Sequence, residues 1–339
     1  MLYTILPEEM KRVERRMMDA TGTASLTLME RASAHVATVA APYLEAGGRL
    51  LLLCGLGNNA GDGLAAARLL MRRMPRLKTI IWKLTGTPSA ETAAQWEQLS
   101  AYRNRTVVID LAGEAPEVPA DVTCVMDALF GIGLNRALEG TAKQAVERLN
   151  AANVPVVAVD IPSGLDGRTG YPVGWKQGGI AVQAAETVTF HRPKAGLFLG
   201  EGLDCSGKVT VCDIGIAAEW DDASGMAVYS RGDRLLPARR RNTHKGSYGR
   251  VLVLGGSVGM AGAAALCATA ALRAGAGLVT VACPSTVLPV VQSLCPCAPC
   301  IPLPEQNPQA AWEILSAAMA RADALVAGCG LGRGELAAA

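Results

Sequence analysis

The sequence contains few aromatic residues and almost no excess charge of either sign. Aromatic side chains make up 4% of the 339 residues, and 32 Lys and Arg against 30 Asp and Glu give a net charge of +2. Binding to nucleic acid or an anionic membrane through overall charge would need a basic excess, so we expect neither partner. Half of the residues are hydrophobic, which excludes an intrinsically disordered chain and indicates about two folded domains.

Signals for secretion and membrane insertion are also missing. Charged residues start at Glu8, and the N-terminus has no apolar segment of signal-peptide type. The uncharged run 251–272 is long enough to cross a bilayer, but it divides into a short β-type stretch, a Gly/Ser turn and an Ala-rich helix. We therefore predict a cytoplasmic protein.

Histidine is too scarce for an obvious zinc site. Ten cysteines are scattered along the chain, and without a secretion signal we expect free thiols. Only Cys295, Cys297 and Cys300 lie close together, and the nearest of the three histidines, His244, is far upstream. We interpret this cluster as thiols packed in a Pro-rich segment, with no further role assigned.

Short apolar runs alternate with helical patterns through the first 160 residues. Continuous apolar runs between turns are typical of parallel strands that are covered on both faces. The pattern predicts an α/β fold with an open, mostly parallel sheet between two layers of helices. The predicted strands are 49–54, 78–84, 122–126 and 154–159, and the predicted helices are 28–43, 63–73, 90–102 and 141–151.

A change in composition around residues 230–250 predicts a domain boundary. This segment is basic and polar, and a new β-type run, 251–254, follows it directly. A linker into a second domain explains the segment better than a nucleic-acid arm does. The predicted parts are a first domain at 1–230, a basic linker that leads into the first strand at 231–250, and a second domain at 235–339 with a helix at 262–274 and a strand at 277–283.

A glycine-rich segment, GLGNNAGDG at 55–63, follows the predicted strand 49–54 and precedes a helix. It matches the dinucleotide pattern G-x-G-x-x-G/A, in which glycines let the backbone approach a phosphate at a helix N-terminus. A dehydrogenase of this type also needs an acidic residue near the end of the next strand. Here that strand ends with Lys83 and no carboxylate, so hydride transfer is disfavoured.

Polar residues follow two more strands, in DALFGIGL from Asp127 and DIPSGLDG from Asp160. Ligands of open α/β sheets bind at the carboxyl ends of the strands, so we expect Asn59, Asp127 and Ser163 to converge there. Oxygen ligands with a single carboxylate suit an alkali cation better than zinc or copper. The alternative is that each residue caps a helix or forms a turn.

The ordered motifs GLGNNAGDGLAAARLL, DALFGIGL, DIPSGLDGRTG and TVTFHRPKAGL resemble the NAD(P)H-hydrate epimerase family, the YjeF N-terminal type, over residues 5–225. The resemblance implies a Rossmann-like fold with bound potassium. It also implies small-molecule substrates, NADHX and NADPHX, in which water has added to the nicotinamide ring, and interconversion of their R and S epimers. Because relatives tend to dimerise, a homo-oligomer that pairs through this domain is expected.

The resemblance also assigns roles to residues. Asp160 would be the catalytic acid/base, Lys194 is a weaker catalytic candidate, and the three oxygen ligands named above would hold potassium. Leu56 replaces the family's usual Pro and Ala60 its usual Gly, which puts the loop geometry in question and leaves a non-catalytic nucleotide-binding scaffold as the alternative. The implied substrate-binding residues are Asn58, Asn59, Ala60, Gly61, Asp62, Gly131, Ile132, Gly133, Leu134, Asn135, Arg136 and Asp160.

Residues 244–332 resemble the start of the ADP/ATP-dependent NAD(P)H-hydrate dehydratase family, through HKGSYGRVLVLGGS, ALRAGAGLV and GCGLG. The resemblance implies a ribokinase-like fold, with Ala263 and Gly330 binding substrate. The family's segments for nucleotide phosphate and the catalytic Asp are not found before residue 339. We therefore expect an incomplete second domain without dehydratase activity, since ADP or ATP with Mg²⁺ would serve only a complete one.

Overall fold

The computed structural model describes residues 2–44, 47–222, 225–229, 233, 236 and 238–333. The chain forms two compact units, Met1–Asp233 and Arg234–Ala339. Parts of the predicted linker (231–232, 234–235 and 237), residue 230 and the last six residues of the predicted second domain lie outside the described residues.

Seven parallel strands form the sheet of the first unit, in the order β4-β3-β2-β5-β6-β7-β8. A separate antiparallel pair joins β1 to β9. The strands are β1 (Leu2–Tyr3), β2 (Arg49–Cys54), β3 (Lys78–Leu84), β4 (Thr106–Leu111), β5 (Val122–Ala128), β6 (Val156–Val159), β7 (Glu186–Phe190), β8 (Lys208–Cys212) and β9 (Ala227–Val228).

Helices cover both faces of this sheet, which confirms the predicted three-layer α/β fold. Because side chains alternate along a strand, Leu50 and Leu52 join the core on one face, and Leu51 and Leu53 join the core on the other. The helices are α1 (Pro7–Thr21), α2 (Ser25–Ala40), α3 (Asn58–Arg73), α4 (Ala90–Leu99), α5 (Gly140–Ala151) and the short α6 (Gly202–Cys205).

The order of the strands reverses between β2 and β5. From β2 the chain adds β3 and β4 on one side, and it then returns to add β5 to β8 on the other. The loops that leave β2 and β5 therefore diverge and open a crevice at the carboxyl edge of the sheet. Open α/β folds bind their ligands in such a crevice.

The second unit is a smaller α/β structure with four parallel strands in the order β12-β11-β10-β13. Its strands are β10 (Arg250–Leu254), β11 (Leu278–Pro284), β12 (Cys300–Leu303) and β13 (Ala324–Ala327), and its helices are α7 (Ala261–Ala274), α8 (Leu288–Leu294) and α9 (Pro308–Met319). The uncharged run 251–272 divides between β10 and α7, and none of the helices in the described ranges is long and apolar enough to span a membrane.

Several boundaries differ from the sequence-based prediction. Helix α2 starts three residues before the predicted 28–43 helix and gives way to a 3₁₀ turn, Ala41–Tyr43, at Pro42. Strand β6 starts at Val156, after Pro155, rather than at 154. The largest difference is that α3 starts at Asn58, five residues before the predicted start.

Two glycines, Gly61 and Gly63, lie inside α3 at points of close packing. A Cβ atom at Gly63 would lie 2.5 Å from Ala128 Cβ and 2.9 Å from Leu52 Cδ1. One at Gly61 would lie 2.5 Å from Met29 Cε. Both glycines therefore allow α3 to pack closely on the sheet and on α2. They lie within the helix and not in a loop before it, where the dinucleotide pattern would place them.

We expect Gly63→Ala to lower the free energy of unfolding. Alanine favours a helix over glycine by about 1 kcal/mol, but overpacking beside the backbone-anchored Ala128 Cβ costs about 1–3 kcal/mol. Urea unfolding followed by circular dichroism measures the change. The matched control is Gly262→Ala in α7, where an added Cβ has nothing within 4 Å. Stabilisation by both substitutions would contradict the packing argument.

Candidate functional site

A cavity of about 550 Å³ lies in the crevice between the loops that follow β2 and β5. Its walls come from α1, the first turn of α3, the loop after β5, and the ends of β6 and β7. The predicted site residues that line it are Asn58, Asn59, Asp62, Gly131, Ile132, Gly133, Leu134, Asn135, Arg136 and Asp160. The structure therefore brings most of the predicted substrate-binding residues to one cavity.

Two predicted substrate-binding residues do not line this cavity. Ala60 and Gly61 are buried within α3. Neither Leu56 nor Ala60 has a positive φ, so the two departures from the family's loop pattern require no unusual backbone. Gly57, in an extended conformation, precedes the helix.

The first turn of α3 presents three polar side chains to the cavity. The Asn58 Oδ1 atom accepts a hydrogen bond of 2.7 Å from Ser89 Oγ. The Nδ2 atom of Asn59 is buried and has no hydrogen-bond partner. Desolvation raises the pKa of the Asp62 carboxyl well above its usual range, and the nearby Asp160 and Glu14 add to this effect. A raised pKa favours the protonated form of Asp62, which can donate a hydrogen bond.

Asp127, at the end of β5, and Ser163, in the loop after β6, are fully buried and in direct contact. The two carboxylate oxygens of Asp127 accept hydrogen bonds from the Ser163 backbone N–H at 2.7 Å and from Ser163 Oγ at 2.6 Å. Burial raises the pKa of Asp127 to about 6, although these bonds and one from the Leu129 N–H oppose the rise. The contact couples the two loops that follow β5 and β6.

The donor set around this contact fits a hard monovalent cation. Asn59 lies against the loop after β5, since a Cβ at Gly131 would be 3.3 Å from Asn59 Oδ1. The nitrogen and oxygen of an amide are interchangeable by rotation, so the unpartnered buried end of Asn59 can present an oxygen. Together with one carboxylate and one hydroxyl, it makes an all-oxygen set of low charge. No cluster of three or more His, Cys, Asp and Glu side chains suited to a metal occurs in the described parts of the chain.

Asp160, the first residue after β6, forms a buried ion pair with Lys194. The lysine is 1% exposed and the aspartate 8% exposed. Lys194 Nζ also donates to Thr189 Oγ1 at 3.2 Å, and Thr189 Oγ1 donates to Asp160 Oδ1 at 3.1 Å. Three donors reach Asp160 Oδ1: Lys194 Nζ, Thr189 Oγ1 and the Phe190 N–H. Within the described chain no hydrogen bond reaches Asp160 Oδ2.

The backbone of Asp160 is in the left-handed region, with φ of +66°. Such a conformation costs about 1–3 kcal/mol and persists only where the surroundings fix it. Here the Asp160 N–H donates to Val188 O at 2.8 Å, and the side chain is held by three donors. The left-handed conformation turns the chain away from β6, and the three donors hold the carboxyl group at the cavity.

Helix α1 contributes two cavity residues that the sequence analysis missed, Lys11 and Glu14. Burial raises the pKa of Glu14 to about 7; Lys194 and Lys11 lower it, whereas Asp160 raises it. A helical plot of α1 could have identified Glu14, since it lies four residues after the buried Met10 and three before the buried Met17. A carboxylate on the packed face of a helix is unusual and marks a candidate functional residue.

The second unit brings together its two predicted substrate-binding residues. Gly330 has φ of +73°, and a Cβ there would lie 3.0 Å from Ala263 Cβ. Ser257 Oγ donates to Gly330 O at 2.7 Å. Cys295 is buried and Cys297 exposed, and all ten cysteines are free.

Comparison with known proteins identifies both parts of the chain. Residues 25–196 match the family described as YjeF-related protein N-terminus, and residues 251–339 match the NAD(P)H-hydrate dehydratase family. A bifunctional NAD(P)H-hydrate repair enzyme of Moorella thermoacetica is 34% identical over 98% of this chain and 64% of its own length. An NAD(P)H-hydrate epimerase of Weissella koreensis is 34% identical over 64% of this chain and 93% of its own length.

A crystal structure of the yeast protein ynu0 is 22% identical, with a TM-score of 0.49, over 62% of this chain and 87% of that one. The chain spans somewhat less than two thirds of the Moorella relative. The chain belongs to the YjeF-related family through its first unit, and residues 251–339 of its second unit are similar to the NAD(P)H-hydrate dehydratase family.

Proposed function

We propose that this chain is an NAD(P)H-hydrate epimerase, which interconverts the R and S epimers of NADHX and NADPHX. The observation that carries the proposal is the Asp160–Lys194 ion pair, buried at the cavity where the strand order reverses. The Weissella relative, which the first unit matches over most of its length, bears the epimerase name. We also propose that it is a cytoplasmic enzyme with a small-molecule substrate; the net charge of only +2 gives no support to a nucleic-acid or membrane partner.

The proposed binding mode places the diphosphate of the substrate at the start of α3 and the loop after β5. A helix N-terminus offers unpaired N–H groups and a positive dipole to an anion. Arg136, which lines the same cavity, adds a positive charge. Asn58 and Asp62, whose raised pKa favours the protonated form, supply donors on the other wall. This arrangement would leave the hydrated nicotinamide ring near Asp160.

In the proposed mechanism, Asp160 exchanges a proton with the hydroxyl group on the hydrated carbon. That carbon lies beside a ring nitrogen whose lone pair can release the hydroxyl group and accept it again on the opposite face. Lys194 compensates the charge of Asp160 and holds its Oδ1, so that Oδ2 is available for the substrate. Thr189 fixes the orientation of the carboxylate.

Potassium is the cation that we propose for the oxygen set of Asn59, Asp127 and Ser163. Bound there, it would supply a positive charge beside the buried carboxylate and order the surrounding loops. Epimerisation needs no nucleotide in this proposal. We also propose a homodimer through the first unit, which light scattering of the purified chain would test.

The expected lack of dehydratase activity stays a prediction. Residues 251–339 match the dehydratase family, so the activity has to be assayed directly. The assay is conversion of S-NADPHX to NADPH with ATP and Mg²⁺, followed by NADPH absorbance. Product formation above the spontaneous rate would refute the expectation.

We expect Asp160→Asn to reduce epimerisation by about 10²-fold or more, because a proton-transfer group contributes about 10²–10⁴-fold. Asparagine tolerates a left-handed backbone, but it leaves the buried Lys194 without its ion-pair partner, so circular dichroism must first show that the variant is folded. The measurement mixes purified protein with R-NADPHX in potassium buffer without nucleotide, and follows the S epimer by chromatography.

The matched control is Asp204→Asn, which removes an exposed carboxylate of α6 outside the cavity. It should turn over at the wild-type rate. Normal turnover by the Asp160 variant would reject Asp160 as the acid/base. A wild-type protein that binds NADPHX but does not exceed the spontaneous rate would support the non-catalytic scaffold.

Replacing potassium with tetramethylammonium at equal ionic strength should lower the Tm, because the larger ion cannot enter the oxygen set. A cation at ten times its Kd stabilises the folded state by about 1.4 kcal/mol. Differential scanning calorimetry measures the shift. Asp127→Asn removes the only carboxylate of the set, so its Tm should be insensitive to the exchange. A wild-type Tm that is equal in both salts would contradict the potassium site.

A further inference from the structure

The cavity contains a carboxyl group for which the proposed mechanism has no task. Glu14 lines the same cavity as Asp160, but it lies on helix α1, whereas Asp160 follows strand β6. Its position on α1 is fixed by packing, because Met10, Val13 and Met17 are buried on the same side of the helix. Glu14 is therefore held at the cavity wall and is only half-buried.

The position of α1 is tied to the Asp160–Lys194 pair. The Ile5 N–H, just before α1, donates to Pro193 O at 2.9 Å, and Ile5 forms a parallel bridge with Lys194 itself. A Cβ at Gly167 would meet Pro7 Cγ at 3.0 Å, so the start of α1 also packs on the loop after Asp160. The same backbone segment thus positions Lys194 and the helix that carries Glu14.

The two carboxyl groups have opposite environments. Asp160 is paired with a lysine and accepts three hydrogen bonds on one oxygen. Glu14 has no such ion pair in the described chain, and the charged groups that act on it are Lys194, Asp160, Lys11 and Asp62. Burial outweighs the two lysines, and the pKa of Glu14 is raised to about 7. When the surroundings of two carboxyl groups in one site differ in this way, one group is suited to act as the acid and the other as the base.

We propose that Glu14 is a second catalytic residue of the epimerisation, the general acid that works with Asp160 as general base. The inference rests on the proposed function. In this proposal Asp62 holds the substrate, and Glu14 exchanges a proton in each turnover.

The proposed step conserves all atoms and electrons. Protonated Glu14 gives its proton to the hydroxyl group of the hydrated carbon, and the carbon–oxygen bond breaks with its electron pair on oxygen, which releases water. The lone pair of the ring nitrogen forms a carbon–nitrogen double bond to give an iminium ion. Water then adds to the opposite face, and Asp160 takes its proton. The product is the other epimer, and proton exchange from Asp160 to Glu14 through solvent restores the starting state.

The first test is Glu14→Gln, which keeps the size of the side chain and removes the acid. We expect kcat to fall by about 10²-fold or more, with the KM for R-NADPHX changed less than threefold. The matched control is Asp19→Asn, an exposed carboxylate on the same helix that does not line the cavity, and it should retain the wild-type rate. Glu14→Asp keeps the carboxyl group one methylene shorter and should recover part of the lost rate.

The second test is the pH dependence of kcat, which a purely structural role would not produce. A general acid must be protonated, so wild-type kcat should fall as the pH rises through about 7, the pKa of Glu14. Asp19→Asn should show the same fall, and Glu14→Gln should not show it. If Glu14→Gln does not fold, the wild-type and Glu14→Asp profiles decide, because both must fall with rising pH.

Failure of this inference is distinct from failure of the proposed function. An active wild type, an inactive Asp160→Asn and a Glu14→Gln variant within threefold of wild type would overturn the role of Glu14 and leave the epimerase intact. A wild-type rate that does not fall between pH 6 and 8, about one unit on either side of the Glu14 pKa, would also overturn it. An inactive wild type would reject the proposed function itself.

Discussion

The buried ion pair between Lys194 and Asp160 is the constraint on which the rest of the site depends. It joins the end of β6 to the segment after β7, and through the Ile5 bridge it also fixes the N-terminal segment that leads into α1. Loss of either partner would leave an unpaired buried charge, which costs about 3–5 kcal/mol. The pair therefore maintains the strained backbone of Asp160, with its φ of +66°, and at the same time sets one wall of the cavity.

Around this pair, the cavity holds more carboxyl groups than it can keep ionised. Desolvation raises the pKa of Glu14 and Asp62, and each is raised further by its acidic neighbours. Desolvation without a paired cation favours the neutral form of a carboxyl group, so both shifts are upward. Only Asp160, among the carboxyl groups that line the cavity in the described chain, has a lysine as ion-pair partner. The proposed reaction, which removes water from one carbon and adds it back on the other face, needs one proton donor and one proton acceptor, and this unequal distribution supplies both.

Sequence patterns predicted the elements that are buried on both faces, and they failed where burial is uneven. Strand β2 matches its predicted bounds because every residue after Arg49 is buried. Edge strand β4 was missed because Val107 and Val108 are exposed, and its apolar pattern is weak. In β7 the buried Thr187 and Thr189 interrupt the apolar run, yet Thr189 is the residue that orients Asp160. The predicted loops line the cavity. Glu14 lies beside them because α1 packs there, and this contact between distant parts of the chain cannot be predicted from local sequence patterns.

The glycine-rich segment after β2 shows how a familiar pattern can serve a different purpose. As a dinucleotide motif it would form a turn that lets the backbone touch a phosphate, and an acidic residue after the next strand would hold the ribose. Here Gly61 and Gly63 lie inside α3 and allow close packing on Met29 and Ala128. This packing brings the first turn of α3 to the cavity edge, so the side chains of Asn58 and Asp62 line the cavity. In the proposed function this site would bind its ligand through polar side chains as well as a helix N-terminus, so it would not need a carboxylate in place of Lys83 near the end of β3.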